Sequence, residues 1–190
     1  LSCMFATTVY YPMFVLMVVA AGVAGYEWFK LMPRQGKKVI KPFAWGYGLL
    51  TAVLSALALY FSDISMLLWA ASILTWILSI YWVKSYPEYD GWYNVTLNGI
   101  GVILISAAVT AIYSVWQNSP WWLMYLFLLV WGADSGAYFI GRKFGNKKLA
   151  PKVSPNKSVE GLYGGIVTSM LIVITVTLLY LDISIPELLL

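Results

Sequence analysis

Six apolar windows, each close to 20 residues long, run one after another through the chain, near 9–29, 43–61, 64–83, 95–116, 121–141 and 161–181. About 20 consecutive apolar residues are what a helix needs to cross the hydrocarbon core of a bilayer. A segment in lipid must satisfy its own backbone hydrogen bonds, so windows of this length predict helices. The expected fold class is an all-α integral membrane protein of about six transmembrane helices, forming a single polytopic domain over residues 1–190. No soluble domain, low-complexity linker or internal repeat stands out, and the tail 182–190 is read as the start of a further segment. Composition points to the same solvent. Charged residues make up 11% of the 190, less than half of the roughly 25% usual in soluble domains. Ten Trp and fourteen Tyr suit the aromatic belts at membrane interfaces.

Several chemistries are excluded at once. The chain has no histidine, so neither a histidine base nor a histidine-ligated metal is available within it. The single cysteine, Cys3, cannot close an internal disulfide. The start at Leu1 shows no initiator Met and no cleavable-signal pattern.

All twelve Lys and Arg fall in alternate connections. Lys30, Arg34, Lys37, Lys38 and Lys41 follow the first window, and Lys84 follows the third. Arg142, Lys143, Lys147, Lys148, Lys152 and Lys157 follow the fifth. The connections around Ser62–Asp63 and Gln117–Pro120 carry none. The positive-inside rule then places the basic loops in the cytoplasm. Such cations also have a plain topological reading, contact with anionic lipid, and the first loop is left with it.

The stretch "WGADSGAYFIGRKFGNKKLAPKVSPNKSVEGLYGG", 131–165, asks for more. Asp134 lies about seven residues inside its window, roughly 10 Å deep at 1.5 Å per residue. A carboxylate near mid-helix costs about 2.5–3.5 kcal/mol on insertion scales, so by default it marks a functional site. Bonding to a neighbouring helix purely for packing is the structural alternative. Gly132 and Gly136 form a small-xxx-small pair that admits a second helix. Glu27, the other acid within a window, sits three residues from Lys30 and is expected to pair locally or reach the interface.

Ser154 followed by Pro155 reads as a helix N-cap with Pro at the first helical position. Lys157 would then lie in the first turn, where a cation is unfavourable unless an anion docks there. Backbone N–H groups, the Ser154 hydroxyl and the Lys157 ammonium would converge on one phosphate. Lys148 and Lys152 would be supporting cations. Gly161, Gly164 and Gly165 allow close approach of a ligand or, equally, of another helix. Asp134 would help to hold a divalent cation, and Glu160 is a second candidate carboxylate.

These residues resemble the central motif region of the bacterial phosphatidate cytidylyltransferase (CDP-diglyceride synthase) family, and "YEWFKL" at 26–31 resembles that family's early Glu-Trp segment. The 131–165 match is long and nearly ungapped; the rest agrees mainly in hydropathy. The family closes with a signature holding a His-Gly-Gly and an Asp cluster, which a chain without histidine cannot contain. The chain therefore reads as an internal portion of such an enzyme, with some metal-binding acids elsewhere, and residues 1–190 alone are expected to be inactive.

What the resemblance implies is a Mg²⁺-dependent enzyme of the bacterial inner membrane, joining CTP and phosphatidate into CDP-diacylglycerol and pyrophosphate for phospholipid biosynthesis. Asp134 and Lys157 would be catalytic, with Ser154, Lys148, Lys152, Lys157 and the three glycines at phosphate. Asp134 and Glu160 would be at metal. Membrane lipids, not nucleic acid, are the expected surroundings, and a homodimer is left open. Two other readings stay in view: a related CTP-dependent lipid kinase or CDP-lipid synthase, and part of an ion-coupled transporter with Asp134 as ion ligand. The transporter reading expects inverted repeats and a second broken helix, and neither stands out.

Overall fold

A computed structural model describes residues 10–31, 41–85 and 95–180. Six long helices and one short hairpin make up the described chain: α1 (Tyr10–Leu31), α2 (Lys41–Tyr60), α3 (Ser62–Ser85), α4 (Val95–Asn118), α5 (Pro120–Phe144), β1 (Lys148–Ala150), β2 (Ser154–Ser158) and α6 (Val159–Tyr180). All six helices are long and apolar enough to cross a membrane. Window 43–61 runs one residue past its helix, residues 9 and 181 lie outside the described residues, and the rest of each window falls on one of these helices. The helices run a few residues past the windows because a helix can continue into the interface once its residues turn polar, as α5 does through Arg142 and Lys143. The fold is thus that of an all-α integral membrane protein. Arg34, Lys37, Lys38 and the tail 182–190 lie outside the described residues.

The chain divides into two compact units, Leu1–Pro120 and Trp121–Leu190. In the first, helices are held together by close approach and by hydrogen bonds between helices, the two forces that remain when lipid removes the hydrophobic drive. A Cβ on Gly48 of α2 would lie 2.7 Å from the Gly22 carbonyl oxygen of α1, so only glycine permits this crossing. Gly101 of α4 likewise receives the Trp28 indole of α1. The Ser55 hydroxyl donates to that of Ser106 at 3.0 Å, both fully buried between α2 and α4. Trp69 Nε1 of α3 donates to Thr110 Oγ1 of α4 at 2.9 Å. Ala58, Leu68 and Ala107 form the small apolar centre among these contacts. Large apolar side chains such as Val53, Ile73 and Ile77 stand exposed, which water would penalise and lipid accepts.

Glu27 pairs locally, one of the two outcomes its spacing allows. Lys30 Nζ reaches its two carboxylate oxygens at 2.9 and 3.0 Å, one turn from the end of α1.

The second unit pairs α5 with α6. A Cβ on Gly164 would stand 2.5 Å from Ile140 Cβ and 2.8 Å from the Gly136 carbonyl oxygen. The reciprocal Cβ on Gly136 would strike Thr168 and the Gly164 carbonyl. The small residues around Asp134 therefore do admit a second helix, and it is α6.

Candidate functional site

Between α5 and α6 the chain folds into a short antiparallel hairpin. Lys148 lies opposite Ser158 and Ala150 opposite Ser154. One residue of β1, Leu149, therefore faces three of β2: Pro155, Asn156 and Lys157. Proline has no N–H to give a ladder and belongs at such an irregularity. The hairpin turns at 151–153, where Val153 N–H donates to the Ala150 carbonyl at 3.1 Å.

This corrects the expected helix start. Ser154 is a strand residue, and α6 begins only at Val159. The cap is Ser158, whose hydroxyl oxygen accepts from the Gly161 N–H at 3.1 Å, the usual N3 bond of an N-cap serine. Ser-Pro resembles a helix start in sequence, but a second serine four residues later takes the role once Pro155 is absorbed by the bulge. Lys157 consequently precedes the cap and is not in the first turn.

The base of the hairpin is fastened to α6. The Glu160 carboxylate accepts from the backbone N–H groups of Asn146 and Lys147 at 3.1–3.2 Å. Val159 N–H donates to the Lys147 carbonyl at 2.9 Å. At the end of α5, a Cβ on Gly145 would come within 2.6 Å of Ser158 Oγ, so glycine lets the chain turn against the cap.

These constraints shape a cleft of about 830 Å³ lined by Asp134, Tyr138, Arg142, Lys157, Ser158 and Gly161 with their neighbours. Asp134, Tyr138 and Arg142 are four residues apart and so share one face of α5. Arg142 Nη1 donates to the Tyr138 hydroxyl oxygen at 3.0 Å. Among the described residues Asp134 makes no hydrogen bond or ion pair. The cleft thus has a carboxylate at its inner end, and an arginine and a lysine contributed by the two elements that flank it.

Asp134, Lys157 and Gly161 are brought together as the sequence suggests. Lys148 and Lys152 are exposed on the hairpin, and neither they nor Ser154 lines the cleft. Gly164 and Gly165 are buried against α5, a Cβ on Gly165 falling 2.9 Å from the Ala133 carbonyl oxygen. Arg142, Asn156 and Ser158 are cleft residues that the sequence reading passed over. The Asp134–Tyr138–Arg142 spacing was the available signal for the first. Nothing in the sequence marked the bulge that presents Asn156.

No group of three His, Cys, Asp or Glu side chains that could hold a metal occurs among the described residues. Asp134 is the one carboxylate lining the cleft.

Six apolar helices define a polytopic membrane protein, and in its second unit one cleft carries Asp134, Arg142 and Lys157. The chain belongs to the Cytidylyltransferase family, whose profile it matches over residues 1–190. It is 32% identical over 163 residues to the phosphatidate cytidylyltransferase of Pseudomonas aeruginosa, covering 83% of this chain and 57% of that protein. Over 50 residues it is 64% identical to the Haemophilus influenzae protein of the same name, 26% of this chain and 17% of the relative. Against the Bacillus subtilis phosphatidate cytidylyltransferase the identity is 36% over 104 residues, 55% and 38% of the two chains. The chain spans little more than half the length of the longest-matched of these relatives.

Proposed function

We propose that this chain forms part of a phosphatidate cytidylyltransferase that makes CDP-diacylglycerol and pyrophosphate from CTP and phosphatidate. The cleft carries the proposal: it joins Asp134 to Arg142 and Lys157 at the membrane end of two helices, and the relatives share this name. A phosphate oxygen of phosphatidate forms a bond to the α-phosphorus of CTP. The bond from that phosphorus to the bridging oxygen of the β-phosphate breaks, and pyrophosphate leaves in line. Both reactants are anions, so the site must position them and offset their repulsion.

Lys157 and Arg142 supply fixed positive charge for phosphate oxygens, as charge-assisted hydrogen bonds. Ser158 and the N-terminus of α6 set the position of Lys157 relative to α5. Asp134 fits a divalent cation of the kind that takes one or two carboxylates together with substrate oxygens, with Mg²⁺ the ion proposed. When bound, such an ion neutralises phosphate charge. Glu160 is assigned to the hairpin instead, because its carboxylate is engaged by two backbone N–H groups. The basic loops are proposed to face the cytoplasm, where CTP is found, with the six helices forming one polytopic domain in the inner membrane.

The test is incubation of the full-length protein, purified in detergent, with phosphatidate and, in parallel samples, CTP labelled on the α- or the γ-phosphate. A labelled CDP-lipid is expected. Transfer of label only from the γ-phosphate would indicate a lipid kinase and overturn the reading, as would no use of CTP.

A further inference from the structure

A second groove, of about 700 Å³, continues from the cleft along α5 and α6. The two share Asp134, Ala137 and Leu162. The groove is otherwise apolar, with Leu162, Ile166, Met170 and Ile174 following one another at four-residue intervals and so lining one face of α6. Its remaining hydroxyl, that of Ser169, donates to the Gly165 carbonyl at 3.0 Å and asks for no partner from a ligand.

We propose that this groove holds one acyl chain of the lipid substrate whose phosphate occupies the cleft; the proposal rests on the function proposed above. Three features favour that occupant over a protein segment. First, the groove opens into the cationic cleft, so an amphiphile can place its phosphate near Lys157 and Arg142 without leaving the apolar wall. Second, Leu162 to Ile174 spans about 18 Å at 1.5 Å per residue, close to half of the roughly 30 Å hydrocarbon core. That is the depth one acyl chain covers from the interface to the bilayer centre. Third, the α5 side is built from Ala133 and Ala137, whose small side chains leave room for a methylene chain. Asp134 stands at the junction, where the polar and apolar parts of such a lipid meet. Ser169 and Met170 lie partway down, so they are the positions that set how a chain passes.

The experiment uses the full-length protein in nanodiscs of phosphatidylcholine with phosphatidate carrying a diazirine either near the carboxyl end or near the methyl end of one chain. After irradiation, labelled peptides are mapped. The upper probe should mark the region of Leu162 and Ile166, and the lower probe Met170 to Ile174. Unlabelled phosphatidate should compete, and phosphatidylcholine with the same chains should not. Ser169→Phe should lower labelling by the lower probe several-fold, whereas Val167→Phe, of equal bulk and outside the groove, should not. Even labelling of all helices, or equal competition by phosphatidylcholine, would show ordinary surrounding lipid and overturn the proposal. Assaying the same preparation for CTP use separates the failures. Product without ordered labelling removes only the groove. Ordered labelling without product removes only the transfer reaction.

Discussion

Asp134 bears the strongest expectation at the scale of single residues. A carboxylate placed in a membrane helix without a bonded partner among the described residues contributes nothing evident to packing. Its cost of about 2.5–3.5 kcal/mol on insertion scales therefore calls for a functional return. Asp134→Asn keeps the shape and removes the charge, so the protein should insert normally while CDP-diacylglycerol formation falls to background in the CTP assay. Near-normal turnover would return Asp134 to a structural role. Lys157→Ala removes a charge-assisted phosphate contact and should raise the KM for an anionic substrate. Lys152→Ala, on the exposed turn of the hairpin, should leave KM unchanged. The position of Asp134 was legible because a lone acid is conspicuous in an apolar run. The role of Arg142 was obscured because five other basic residues follow it in the same connection.

Among the elements, the hairpin and the α5–α6 pair make separate predictions. Glu160 ties Asn146 and Lys147 to the first turn of α6. In Glu160→Ala the amides of Asn146 and Lys147 should exchange with deuterium several-fold faster, read by mass spectrometry. Glu160→Gln, which keeps an acceptor oxygen, should restore part of the protection. Unchanged exchange in the alanine variant would show that the carboxylate does not hold the hairpin. Gly164→Val tests the helix crossing. Its new Cβ would stand 2.5 Å from Ile140 Cβ and 2.8 Å from a backbone oxygen of Gly136, and the backbone cannot give way as a side chain can. Overpacking of this kind costs about 1–3 kcal/mol, and a lower melting temperature in detergent is the expected result. An unchanged melting temperature would mean that the pair accommodates a larger separation. The sequence announced the helices through their length and apolarity, but it misplaced the start of α6. Ser154-Pro155 and Ser158 are both legitimate helix starts locally. Only the pairing of Lys148 with Ser158 and Ala150 with Ser154 selects the second.

For the whole molecule, the orientation in the bilayer is the property to test. A reporter active only outside the cytoplasm should be active when fused near Pro120 and silent near Asn146, because every Lys and Arg lies in the alternate connections or in the helix ends beside them. Activity at Asn146 would remove CTP from the proposed site. Membrane residence, six helices and the order of the basic connections were determined by the sequence alone. Each depends on summed transfer free energy over about 20 residues, and such sums need no knowledge of neighbours. The tolerance of the residues around Asp134 for a second helix was likewise legible, being a property of one helix. The tertiary structure decided which residues meet: Asp134 with Lys157 and Arg142 in one cleft, Glu160 with the backbone of 146–147, and Gly164 against α5 instead of a ligand. These depend on how two helices cross and on a bulge that adds residues to one strand only. Crossing and bulge follow from contacts between distant segments, which no local pattern of residues encodes.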